Sequence, residues 1–343
     1  MNFSLIEELC NISGVSGFES PIMEKIESVI KDSVEYTEYD AAGNLYAFKK
    51  GKKGSCGKTV LYSAHADEVG FMIKHINDDG TLLFDSIGIG KEAYCGKKVL
   101  VGKNKIPGII SVKPYHLLDK KEKEAPLPSE GLSIFIGAKT KKEAEELGVY
   151  ADFAVFDSVY EEFGTGKIKA KALDDRIGCA MLVSLILSDV EYDSHFVFCT
   201  CEEGGLRGSK LAASNVLPDI VINMECTTAG DIYGTEGSKK VCSLSGGVVV
   251  PFMDNSAVYT PCLHEKIMNL AKKNKIKCQT KTEIAGGTDA GSYVITAGGR
   301  KTAGLAVPTR YLHSAVSVCS KEDIENCEKL LFAISDNIKD LSE

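Results

Sequence analysis

His65, Asp174, Glu203, Glu225 and His313 are side chains of the types that bind a transition metal, and each stands beside an apolar run. Imidazole nitrogens and carboxylate oxygens together suit zinc, manganese or cobalt. His65 opens His65-Ala66-Asp67, directly after the apolar run at 59–64. In extended chain, residues i and i+2 share a face. Asp67 can then accept a hydrogen bond from one ring nitrogen while the other binds metal, which fixes the tautomer. Alone the pair is a weak signal, because most histidines have no site role. Asp174-Asp175 precede an apolar helical run. A carboxylate there can bridge two cations ~3.5–4 Å apart, or simply cap the helix. Glu202-Glu203-Gly204-Gly205 follows the run at 195–200. Such a pair can serve a site at the carboxyl end of a strand or stand in a solvated turn. Glu225 and His313 each follow an apolar run, and either could be a hydrogen-bonded strand-end residue.

Placement joins them. His65, Glu203, Glu225 and His313 follow predicted strands, and Asp174 opens a helix. Glu202 is then a carboxylate not needed as a ligand, next to a metal-bound water, which is where a general base belongs.

The elements that must position these groups alternate. Helical spacing marks 3–10, 19–31, 177–188, 206–215, 264–274 and 321–338, with strands at 59–64, 195–200, 220–224 and 303–307. Residues 34–49 read as a strand pair turned at 40–44. Strands alternating with helices predict an α/β fold, a mainly parallel sheet sandwiched by helices. From 70 to 157 the character changes to short apolar runs with frequent Gly, Asp and Lys, and one helical piece at 140–147. This predicts a β-rich domain, 70–157, inserted into an α/β domain formed by 1–69 and 158–343.

Composition excludes several classes. Apolar residues make up 44% and charged residues 26%, ordinary for a globular chain. No run approaches the ~18 apolar residues of a membrane span. The start, MNFSLIEELC, has no secretory pattern, so the expected location is the cytoplasm. Twelve cysteines without a CxxC pair read as free thiols. A net charge of −8 without a basic patch argues against nucleic-acid binding.

The sequence resembles the M42 family of metallo-aminopeptidases, the tetrahedral ("TET") group that includes glutamyl and deblocking aminopeptidases. The resemblance rests on Ser13-Gly14-Val15-Ser16-Gly17, Ala64-His65-Ala66-Asp67-Glu68-Val69-Gly70, Ala172-Leu173-Asp174-Asp175-Arg176, Glu202-Glu203-Gly204, Gly287-Thr288-Asp289-Ala290 and Arg310-Tyr311-Leu312-His313-Ser314. It implies a zinc-peptidase-like fold and two divalent ions per subunit, zinc first, with cobalt or manganese as alternatives. One ion is held by His65, Asp174 and Glu225, and the other by Asp174, Glu203 and His313. Glu202 matches the catalytic glutamate, Asp67 orients His65, and Thr288 and Asp289 lie near the substrate. The implied reaction is hydrolysis of a peptide's N-terminal residue by a metal-bridging water, with Glu202 as base. The insert resembles the family's dimerisation domain, which implies a homo-oligomer, dimers assembling to a dodecamer. Two departures stand out: Glu225 occupies a position that is often Asp, and Ala315-Val316-Ser317 replaces the usual Pro-Val-Glu. A carboxypeptidase or N-acyl-amino-acid deacylase on the same scaffold is the alternative, with Arg176, Arg207, Arg300 or Arg310 available for a substrate carboxylate. A glycosidase would leave the histidines without a role.

Overall fold

The computed structural model describes residues 1–124, 132–150 and 152–342, so residues 125–131 and 151 of the expected insert lie outside the described residues. It contains two compact units. One comprises Met1–Glu68, Tyr160–Leu312 and Ser317–Glu343, and the other Val69–Val159 with His313–Val316.

The larger unit is built on an eleven-stranded sheet. Its main path runs Tyr36–Tyr39, Leu45–Lys49, Ser194–Cys199, Val60–His65, Ile220–Thr228, Lys301–Arg310, Ser317–Ser320, Lys167–Ala170 and Glu161–Phe163. The four strands from Ser194–Cys199 to Lys301–Arg310 are parallel to their neighbours. Along the rest of that path the pairings are antiparallel, and off it Val248–Val249 pairs in parallel with Cys278–Gln279. The expectation of a mainly parallel sheet therefore needs correction: the sheet is mixed, with a parallel centre. The reason is loop length. Residues 40–44, 164–166 and 311–316 are too short for the dozen or so residues of a parallel crossover, so each closes a hairpin.

The central strands are buried on both sides. Tyr62, Phe196, Ile222 and Leu305 pack into the main core, while Leu61, Val197 and Val221 pack into a second cluster with Ala212 and Tyr293. Burial on both faces is why these strands read as continuous apolar runs. Beyond Asp174-Asp175-Arg176 the helix Leu173–Leu187 is apolar on nearly every side, and it is buried along nearly its whole length. Such a helix must be covered on every side. It lies against Val60–His65 and Ile220–Thr228, and is covered by Phe3–Asn11, Ser20–Ile30 and Lys321–Asp336. No helix among the described residues is long and apolar enough to cross a membrane.

The smaller unit is a closed antiparallel barrel of Gly70–Ile76, Leu82–Ile87, Ile134–Phe135, Ile106–Ile110, Lys98–Val101 and Phe153–Phe156. Closure gives each of these described strands a neighbour on both sides. Phe71 is the centre of its core, edge-on to Phe84, Tyr94 and Phe156 at centroid distances of 5.2, 5.4 and 5.3 Å. Thr140 caps the helix Lys141–Glu146 by accepting the Glu143 N–H at 3.2 Å.

Candidate metal centre

The site is assembled where strands end and the chain turns sharply. His65 is the last residue of Val60–His65, and Glu202-Glu203 follow Ser194–Cys199. Cys201, just before the glutamates, has a positive φ of 52°, and Ala172, just before Leu173-Asp174, has 54°. His313 lies between Lys301–Arg310 and Ser317–Ser320, also with positive φ, at 53°. For residues with a Cβ this region is costly, by roughly 1–2 kcal/mol, and such positions gather at functional sites. Glu225 differs from the expectation: the strand does not stop at 224 but continues through it to Thr228, held by pairing to Lys301–Arg310.

These turns bring donor atoms together in two trios that share one residue. Ligand atoms of His65, Asp174 and Glu225 lie within 4.8 Å of one another, and so do those of Asp174, Glu203 and His313. His65 Nε2 is 3.4 Å from Asp174 Oδ1 and 3.7 Å from Glu225 Oε2. Donors bound at ~2.0–2.2 Å to one tetrahedral ion would stand about 3.4 Å apart. Asn223 Nδ2 donates to the other Glu225 oxygen at 3.1 Å, which turns Oε2 toward the imidazole.

The adjacent aspartates divide the two roles that the sequence left open. Asp175 caps the helix, its Oδ1 accepting the Gly178 N–H at 3.0 Å. Asp174 is in extended backbone (φ −84°, ψ 113°) and joins both trios. A third grouping of Asp174, Asp175 and Cys226 is taken up by backbone contacts. The Cys226 thiol donates to Leu173 O at 3.4 Å, and its N–H to Asp174 Oδ1 at 3.3 Å.

Asp67 sits behind His65. His65 Nδ1 is 3.4 Å from Asp67 Oδ1 and 3.2 Å from the Asp67 carbonyl oxygen, so Nε2 is the nitrogen facing the trio. The Asp67 carboxylate also accepts from Ser16 Oγ at 2.6 Å, Glu202 N at 2.9 Å and Glu203 N at 3.0 Å. Burial alone would raise its pKa, but His65, Ser16 and the Glu202 N–H hold it below the ordinary value. It stays ionised.

The cluster carries more negative than positive groups. Glu202 is pushed up to about 10, chiefly by burial, with the His65 charge opposing and Asp289, Glu203 and Asp174 adding to the rise. Glu225 is raised well above its ordinary value in the same way. For His65, burial would lower the pKa, but Asp174, Asp67, Glu202 and Glu225 outweigh it and raise it well above the ordinary value. Buried carboxyls in excess of cationic side chains, with nitrogen donors among them, form a donor set that divalent ions fit.

Thr288 is buried, its Oγ1 donating to Asp254 Oδ2 at 3.0 Å and lying 3.2 Å from Tyr259 OH. Asp289 is also buried, and burial raises it to about 6. Sequence reasoning missed a buried ion group beside the site. Lys171 Nζ lies 2.7 and 2.9 Å from the two Glu68 oxygens, with Arg176 Nη2 at 3.6 Å. The signal was present, since Glu68 and Arg176 stand inside the two motifs that carry His65 and Asp174. Arg176 Nη1 donates to Leu9 O at 2.6 Å, and Arg310 forms a two-pronged pair with Asp231 at 2.9 Å.

A mixed α/β fold presenting such nitrogen and oxygen donors at its strand ends is that of a metal-dependent hydrolase. Residues 43–330 match the family described as M42 glutamyl aminopeptidase, and the chain belongs to that family. It is accordingly a metal-dependent aminopeptidase. It is 29% identical to the lysyl aminopeptidase of Pyrococcus furiosus over 99% of this chain and 98% of that one. Its fold superposes on an aminopeptidase from the archaeon Desulfurococcus kamchatkensis with a TM-score of 0.92, at 29% identity over 99% and 96% of the two chains. The TET1 peptidase of Pyrococcus horikoshii, described as assembling into a tetrahedron or a large octahedral shell, matches with a TM-score of 0.84, at 32% identity over 97% and 98%.

Proposed function

We propose that the chain removes the N-terminal residue of peptides with two divalent ions per subunit, zinc first, with cobalt or manganese as alternatives. The observation that carries this is the pair of donor trios sharing Asp174, with Glu202 beside them. His65, Asp174 and Glu225 would hold one ion, and Asp174, Glu203 and His313 the other. When bound, the ions polarise the scissile carbonyl and acidify water. Glu202 takes the proton from the attacking water and returns it to the departing amine. Its backbone is fixed for this by the N–H bond to Asp67. Thr288 and Asp289 line the substrate side, with Thr288 held in place by Asp254.

Residues 1–69 and 158–343 form the catalytic part, and 70–157 serves self-association within a cytoplasmic homo-oligomer, dimers building a dodecamer. Exposed Ile109, Phe135, Tyr115 and Leu117 on this segment support that reading. Two arginines that a carboxypeptidase could use, Arg176 and Arg310, are already engaged, which favours an aminopeptidase.

The test is metal removal. Dialysis against a chelator should abolish cleavage of amino-acid anilides, and two equivalents of zinc, cobalt or manganese should restore it. The N-acetylated anilide should stay uncleaved. Full activity in metal-free protein, or preference for the acetylated substrate, would refute the reading.

A further inference from the structure

The residues before the family-matched range make contacts that no role above accounts for. The loop Gly14–Glu19 precedes residues 43–330, the range matched by the family model, and it reaches the centre of the site. It is stitched to the His65 strand end. Gly14 N donates to Glu68 Oε1 at 3.0 Å, and Glu68 N donates to Gly14 O at 3.0 Å. Val15 bridges Glu68 in parallel register. Glu68 is itself clamped by Lys171 at 2.7 Å. The loop packs closely on the buried Arg176 side chain: a Cβ at Gly14 would stand 2.9 Å from Arg176 Nη2.

Two side chains of this loop then brace the residues around Glu202. Ser16 Oγ donates to Asp67 Oδ2 at 2.6 Å, a short bond to an ionised acceptor. Glu19 Oε1 accepts the Cys201 N–H at 3.0 Å. Asp67 uses its two oxygens for Glu202 N, Glu203 N and Ser16, with His65 Nδ1 against Oδ1. One carboxylate thus sets the imidazole of one trio, the backbone of a ligand of the other, and the backbone of Glu202.

We propose that Ser16 is a positioning residue for the reaction. Its hydroxyl locks the Asp67 carboxylate in the one orientation that serves His65, Glu202 and Glu203 together. Ser16 touches neither substrate nor metal; it acts through Asp67. Without it, Asp67 Oδ2 keeps only the Glu203 N–H, and rotation of the carboxylate loosens both trios at once. The inference rests on the metal-dependent chemistry proposed for this site.

The test compares wild type, Ser16→Ala, Ser16→Thr, Asp67→Asn and the Ser16→Ala/Asp67→Asn double variant. Zinc affinity is measured by titration of chelated protein, and steady-state kinetics on an amino-acid anilide follow. Outer-shell partners of ligating histidines typically control affinity by about 10–100-fold. Ser16→Ala should weaken zinc binding about tenfold at both positions and lower kcat about tenfold, with KM within about twofold. Ser16→Thr keeps the hydroxyl and should restore most of both. In the Asp67→Asn background, Ser16→Ala should cost no further affinity. Wild-type affinity and kcat in Ser16→Ala, failure of Ser16→Thr to restore them, or an undiminished penalty in the Asp67→Asn background would overturn the proposal. Circular dichroism of the metal-free proteins checks the fold. Should Ser16→Ala not fold, Ser16→Cys replaces it, with a smaller loss in the same two readouts expected and none overturning the proposal. Wild type that binds no zinc would instead remove the chemistry on which the inference rests.

Discussion

Replacing Glu202 by Gln tests the proposed base apart from everything else the site does. The backbone contact that places it, Glu202 N to Asp67 Oδ1 at 2.9 Å, does not involve the side chain and survives. Gln is isosteric, and no metal position is assigned to this residue. In metal-free protein near pH 7 the carboxyl is protonated, since burial pushes it up to about 10. The exchange is then neutral acid for neutral amide, so thermal stability without metal should move little. What disappears is a proton acceptor. General base catalysis contributes roughly 10²–10⁴-fold, equivalent to about 3–5.5 kcal/mol in the barrier. The expected result is a kcat lower by that factor, KM within about twofold, and unchanged zinc stoichiometry by elemental analysis, because the loss falls on the transition state. Glu203→Gln, by contrast, should bind one zinc fewer. A Glu202→Gln enzyme keeping more than about a tenth of wild-type kcat would show that another group takes the proton, since even the smallest contribution expected of a base exceeds tenfold.

Lys171→Met should destabilise the protein by about 3 kcal/mol, the lower end of the range for a broken buried pair, because Arg176 and the Gly14 N–H remain near Glu68. Calorimetry should find the transition roughly 4–6 °C lower; an unchanged midpoint would mean the pair contributes nothing net. Metal-free protein should lose stability as pH rises from about 6 to 9. Glu202, raised to about 10, and Glu225, also raised, keep protons in the fold that the unfolded chain has shed above ~4.3, and holding protons in the native state makes stability fall with pH. His65 acts in the same direction, because its raised value gives stability present below ~6.5 and lost as pH climbs through the folded value. Zinc should widen the gap between loaded and metal-free midpoints over the same interval, since the ligands must be deprotonated to bind. Thermal scans in chelator and in zinc check both, and a midpoint in chelator that rises with pH would contradict the sign.

Local signals disclosed the ligand candidates because each stands against a contrasting background. His65 and Glu203 follow runs of residues that only a buried strand explains, and a polar group at such a boundary is conspicuous. The same logic mislocated the end of the strand at Glu225. A carboxylate read as a terminator is in fact inside the ladder, paired with Ala306 and tolerated because Asn223 and the imidazole engage it. The antiparallel edge pair within 34–49 was legible as a hairpin, while the strands Glu161–Phe163 and Lys167–Ala170 at the other edge escaped for a different reason. Alternation gives period but not direction, and only loop length fixes direction. The turn at 164–166 was short enough to announce a hairpin, but Glu161–Phe163 has just three residues, below any usable period.

The division of labour between Asp174 and Asp175 could not have been read from residue type, and only the family resemblance pointed to Asp174. Two identical neighbours have the same propensity, and which one caps is settled by the backbone angles that Ala172 and the packed helix impose. The partners of Ser16 and Glu19 were hidden still more completely, although Ser16 stands in a motif that carries the family resemblance. These partners, Asp67 and Cys201, lie 51 and 182 residues away, and a hydrogen bond across such a distance leaves no trace in periodicity. This separates what composition and spacing can disclose from what they cannot. A metal ligand is chosen for its chemistry, so its residue type betrays it. A residue that positions a ligand is chosen for where it stands, and serine, the commonplace residue of turns, does not disclose what it positions until the chain is folded. The arrangement around Asp67 is thus where structure adds most to sequence.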